Sequence, residues 1–162
     1  MSFNDLALAL AQPGQPQTGI QALEAAAQEL IGHKLFTLLV LDHERNLNSR
    51  CYSNRPAEYP ALGYQPIDWT REFYKVVVER GEPRFLNNRA DLARTFGDYE
   101  VLVAMGCESA VNMPVRWNGR TLGSVNLLNV ENFYGPQHRP QLNTLAALAI
   151  APFLSILESA GR

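Results

Sequence analysis

The chain has 162 residues, 46% of them hydrophobic and 19% charged, which fits one globular domain large enough to bury a sizeable core. Its net charge is −2 and its lysines and arginines are scattered, so nothing in it tracks a phosphate backbone and no nucleic-acid partner is expected. No apolar run reaches the roughly 18 residues of a membrane helix, and no charged-then-apolar leader opens the chain; a soluble, cytoplasmic protein without a membrane partner is expected.

Ser2 to Ala11 is amphipathic enough for a short helix, which Gln12 to Gln17 breaks with Pro and Gly. Residues 1–17 are therefore read as an N-terminal segment and linker, and residues 18–162 as one domain. Thr18 and Gln21 suit a capping box for a second helix, with Ile20, Leu23, Ala27 and Leu30 on one face and Gly32 at its stop. Lys34 to Asp42 predicts a central strand, and Leu47 to Ser53 a more polar returning strand. A Pro- and Tyr-rich loop follows. Asp68 then caps a helix whose Trp69, Phe73, Val76 and Val77 are spaced for burial. Arg84 to Leu86 predicts a short strand, Asn88 caps a helix through Ala93, and another helix spans about Tyr99 to Met105.

Cys107 to Pro136 is the most informative stretch. Asn118-Gly119 suits a type I′ hairpin turn, whose two central residues need positive φ. With Trp117 opposite Arg120, this register sets Val111 against Asn126 and Asn112 against Val125. Pro136 to Glu158 predicts the last helix, kinked at Pro152. Irregular alternation of helices with antiparallel hairpins indicates an α+β fold.

The pattern S-A-V-N-M-P-V, then N-G-R-T-L-G-S-V-N-L-L, an aromatic loop and a long apolar helix resembles the C-terminal half of a GAF domain. The resemblance extends from about Thr18 onward. It implies a profilin-like antiparallel sheet, with the terminal helices on one face and a helix- and loop-roofed pocket on the other.

Against specific GAF functions the residues weigh as follows. Free methionine-(R)-sulfoxide reductase, also a GAF fold, carries a nucleophilic Cys near the position of Cys107, and a redox enzyme using Cys107 is the alternative reading. Its second Cys is missing at Ile67 to Thr70, and its acidic residues are Ala110, Asn126 and Leu128 here. Glu108 also opposes thiolate formation. The cyclic-nucleotide signature is matched by Asn129 and Phe133, but Val130 stands for its Lys, and Gln137 and His138 for its acidic pair. Bilin-binding relatives place His after the attachment Cys; Tyr52 and Glu108 follow the two cysteines here. Histidines 33, 43 and 138 fall at a helix end, a turn and a helix start, where exposure is usual, so no haem, metal or other cofactor is expected.

The face carrying Asn126 is assigned to the pocket, because the opposite face holds small residues suited to helix approach. On the expected register it carries Val111, Met113, Ser124 and Leu128. A buried Asn must satisfy both ends of its amide, and a polar handle in an apolar cavity is how small-molecule sites are built. The candidate ligand-binding residues are Asn126, Met113, Val111 and Leu128, walled by Trp69, Phe73, Tyr64 and Tyr99. The expected function is a sensory domain for an unknown small molecule, acting in trans or through a homodimer. The last helix motivates the dimer: Leu142, Leu145, Ala149, Phe153 and Ile156 form one stripe, while Leu148, Ile150, Leu154 and Leu157 ring the rest. Ala22, Ala25 and Ala26 would let a second helix layer approach closely.

Overall fold

The computed structural model describes residues 1–161. Helix α1 (Phe3–Leu10) opens on a capping box between Ser2 and Asp5. Helix α2 (Gln17–Leu30) begins without a side-chain cap; the Thr18 hydroxyl instead donates to the Pro13 carbonyl at 3.1 Å, so the expected Thr18–Gln21 box does not form. Strands β1 (Leu35–Asp42), β2 (Leu47–Ser53), β3 (Gln65–Pro66), β4 (Arg84–Leu86), β5 (Ser109–Trp117) and β6 (Arg120–Asn129) form one antiparallel sheet in the order β3-β2-β1-β6-β5-β4. Helices α3 (Arg89–Thr95, capped by Asn88) and α4 (Tyr99–Ala104) lie between β4 and β5.

The segment before β4 is a π-helical turn, Tyr74–Glu79. Its wider turn buries Tyr74, Val77 and Val78, where a 3.6-residue period predicted Val76 and Val77. The final helix is two, α5 (Arg139–Leu148) and α6 (Ile150–Ala160), meeting at 41°. Pro152 lacks the N–H that the Leu148 carbonyl would receive, and its ring crowds that carbonyl, so the chain breaks at Ala149. Among the described residues no single helix is long and apolar enough to cross a membrane. The bent pair α5–α6 is long and apolar enough, but it buries Leu142, Leu145, Ala149 and Phe153 in the core.

The main core lies between the sheet and the terminal helices. Leu6, Leu23, Ala27, Leu142 and Phe153 meet Phe36, Leu38, Val125 and Leu127 there. Leu6 is fully buried, and α1 packs on α2 and α5. Ala22 and Ala26 are buried in this same core and are not free for a second molecule.

The β5–β6 hairpin turns at Asn118 (φ 52°) and Gly119 (φ 75°), as Asn-Gly predicts. The register then departs from expectation. Val115 pairs with Gly123 but Arg116 pairs with Thr121, leaving Leu122 as an extra residue in a β-bulge. Beyond the bulge Asn112 faces Asn126 and Val111 faces Leu127. A one-residue shift moves every side chain of one strand to the other face relative to its partner. Val111 and Met113 therefore lie under the terminal helices, and Asn112 takes their expected place on the Asn126 face.

Candidate functional site

On the sheet face away from the terminal helices lies a cavity of about 500 Å³. Its floor comes from β1, β2, β4, β5 and β6. Its walls are Tyr59, Leu62, Gly63 and Gln65, then Arg71 to Tyr74, and Arg94 to Asp98. The volume is in the range of roughly 300–1,000 Å³ usual for small-molecule sites.

One register row crosses the floor. Arg84 pairs with Asn112, Asn112 with Asn126, and Asn126 with Thr37. The row is joined by hydrogen bonds that run in one direction. Arg84 Nε and Nη2 donate to Asn112 Oδ1 at 3.0 and 2.9 Å. Asn112 Nδ2 donates to Asn126 Oδ1 at 2.8 Å, and Asn126 Nδ2 donates to Thr37 Oγ1 at 3.2 Å. The Ser124 hydroxyl adds a second bond to Asn126 Oδ1 at 2.9 Å. A guanidinium can only donate, so Arg84 obliges Asn112 to present its oxygen, and that choice sets the amide orientation of Asn126. All four members of the row are buried.

Arg84 dominates the electrostatics. Its guanidinium carbon lies 5.5 Å from the Phe73 ring centroid and 6.0 Å from that of Phe96. Burial pushes its pKa down to about 10; Glu72 opposes this, while Arg71 and Arg94 add to it, so the group stays charged at neutral pH. Nη1 is shielded from solvent and has no hydrogen-bond partner among the described residues. Glu72 Oε1 stands 3.8 Å from it, an ion pair too long for a hydrogen bond. Four arginines (50, 71, 84 and 94) and two carboxylates (Glu72 and Asp98) line the cavity, which leaves it positive.

The eight residues named from sequence divide. Asn126, Leu128 and Phe73 line the cavity. Val111 and Met113 do not, because the Leu122 bulge turns them into the main core. Trp69 packs on Tyr74, with Nε1 donating to Asn46 Oδ1 at 2.6 Å, and is held outside the lining. Tyr64 sits against the main core under Arg45, and Tyr99 packs on the cluster around Leu92 and Leu102. Sequence reasoning missed Arg84, Asn112 and Thr37. An arginine in the three-residue strand Arg84–Leu86 was a usable signal, since a side chain there alternates with Phe85 and shares a face with Leu86.

The thiols are poorly placed for chemistry. Cys107 is fully buried among Leu35, Leu86 and Leu102, away from the cavity lining; burial pushes its pKa up to about 11, although Arg55 and Lys34 pull the other way. Burial pushes Cys51 up to about 12. At pH 8 we expect neither thiol of the native protein to react with Ellman's reagent, and two equivalents to react in denaturant. Rapid labelling of native Cys107 would revive the redox reading. Among the described residues no group of three or more His, Cys, Asp or Glu is placed to hold a metal ion. His33, expected at the surface, is buried, and burial lowers its pKa despite Glu24 at 3.3 Å.

The family model for the GAF domain matches residues 17–150. The chain belongs to the GAF domain family. The fold agrees. The GAF domain of an Acinetobacter phosphoenolpyruvate-protein phosphotransferase superposes with a TM-score of 0.75 at 12% identity, covering 99% of this chain and 95% of that one. The GAF domain of a two-component sensor histidine kinase from Bacillus halodurans gives 0.68 at 12%, covering 100% and 99%. Residues 122 to 287 of a methyl-accepting chemotaxis protein give 0.70 at 15%, covering 95% and 96%. No curated protein matches the sequence. The GAF sheet, the terminal-helix layer and the roofed opposite face are thus all present, as the resemblance implied.

Proposed function

We propose that this GAF domain is a sensory and regulatory module that binds a small molecule in the cavity over its sheet. The observation that carries the reading is the buried row Arg84–Asn112–Asn126–Thr37 at the floor of a cavity of about 500 Å³. Buried polar groups are costly unless fully bonded, and a cavity floor built of them suits recognition better than packing. Similarity to domains of a sensor kinase, a chemotaxis protein and a phosphotransferase supports a regulatory role. Native mass spectrometry of the protein as purified tests it. We expect a retained small molecule that Asn126→Leu releases. A bare mass, together with no thermal shift across a metabolite extract, would sink the reading.

Output in trans or through a homodimer completes the proposal. With Ala22 and Ala26 consumed inside the core, the large apolar side chains left exposed on the helix layer among the described residues are Leu8 of α1, 59%, and Leu154 of α6, 38%; Leu154 is the one on the last helix. Sedimentation at micromolar concentration is expected to give a dimer that Leu154→Glu dissociates; a clean monomer mass would remove the dimer from the proposal.

A further inference from the structure

The cavity has a sign and an unmet donor, and both point to a class of ligand. Side-chain exposure of Arg84 is 6%. A guanidinium this deep is costly to bury unless its donors are used. Asn112 uses Nε and one side of Nη2, leaving the far end of the fork, with Nη1, unused. Among the described residues that end pairs only with the Glu72 carboxylate, 53% exposed and 3.8 Å away. The other cavity arginines are exposed enough to meet solvent, and each gives one donor to the chain: Arg50 to the Pro60 carbonyl, Arg71 to the Thr95 carbonyl, and Arg94 to Asp91.

Resting on the reading of the cavity as a ligand site, we propose that it takes a small organic carboxylate with a flat apolar body. The carboxylate displaces Glu72 and accepts hydrogen bonds from the free end of Arg84, and the body lies against Leu39, Leu128 and Phe96. Two planar oxygens match the free end of a guanidinium fork. A phosphate would present a third oxygen, which the end of one guanidinium fork does not match. Glu72 marks the place: it is a carboxylate of the chain itself, held at the right end of Arg84 but too far to bond.

Proton–nitrogen correlation NMR of the full chain tests this, with benzoate, benzamide and inorganic phosphate as probes. Benzoate is expected to shift the Arg84 Nε–H and the Asn112 and Asn126 side-chain amides. It should bind about tenfold tighter than benzamide, the worth of one charge-assisted hydrogen bond. Arg84→Met is expected to abolish that advantage. Glu72→Gln, a half-exposed change that leaves the core intact, is expected to tighten benzoate about threefold and leave benzamide unchanged. Equal shifts by benzoate and benzamide, or an advantage that survives Arg84→Met, overturn the anionic assignment while leaving the cavity reading in place. Phosphate binding more tightly than benzoate overturns the carboxylate class. No shift from any probe overturns the inference, and native mass spectrometry then decides the cavity reading separately. If Arg84→Met fails to fold, the Glu72→Gln comparison decides: unchanged benzoate affinity overturns displacement.

Discussion

Asn112→Ala is expected to destabilise the protein by about 3–5 kcal/mol, the range for leaving a buried charge without its partner. Asn112 Oδ1 is the only acceptor that Arg84 reaches at hydrogen-bond distance among the described residues, and it takes two of that side chain's bonds. Truncation strands the guanidinium under Phe73 and Phe96. Arg84→Met should cost less, about 1–3 kcal/mol, because it removes the charge and leaves only an amide oxygen short of a donor. The double variant is then expected to be more stable than Asn112→Ala alone. Urea unfolding of the four proteins closes the cycle. Additive losses would show that the two side chains do not act as a pair.

Gly123→Ala should be as damaging, at about 3–5 kcal/mol, above the ~1–3 kcal/mol usual for overpacking. A Cβ at Gly123 would collide with the Leu39 carbonyl oxygen and come within 2.7 Å of Phe153 Cε2. Phe153 could shift. The Leu39 carbonyl belongs to the β1 backbone and cannot move without disturbing the β1–β6 ladder, where Val40 pairs with Gly123. Gly123 also sits in the bulge that sets the faces of β5, so the damage should reach the cavity floor. The urea midpoint and the Asn112 and Asn126 side-chain resonances report the two effects together. A loss below about 1 kcal/mol would mean that the β1–β6 contact yields more easily than a backbone ladder should.

Much of the architecture was legible before any coordinates. A β-rich, mostly apolar run marked β1, two strand-like runs marked the β5–β6 hairpin, Asn118-Gly119 marked the turn, and Asn88 marked the start of α3. The GAF resemblance rested on the hairpin pattern, the aromatic loop after it and the apolar final helix. The local errors share a cause, which is chain geometry that departs from the regular period. The π-helical turn at Tyr74–Glu79 moved burial from Val76 to Tyr74 and Val78, and Pro152 broke the last helix at Ala149.

The candidate site was only half legible. Asn126 stood out because an amide among Val125, Leu127 and Leu128 must be bonded wherever it lies, and composition alone poses that question. Its neighbours could not be read from sequence. Local pattern determined that β5 and β6 pair through a tight turn, but a single inserted residue, Leu122, decided which side chains of β5 share the face of Asn126. The glycine in the run T-L-G-S-V signals a bulge or a close backbone approach but not which of the two, nor the residue left over; Gly123 passes close against β1 and Phe153, a contact that joins segments far apart in the chain. Arg84 is the sharper case. Its short strand was foreseen, but its burial and its pairing with Asn112 follow from β4 adding to the edge of β5, 28 residues away. Sequence by itself determined most of the elements, the α+β class and the family, because these rest on local pattern and turn chemistry. The polar row and the charge of the cavity were decided by tertiary structure alone, because cross-strand neighbours are chosen by register and sheet order.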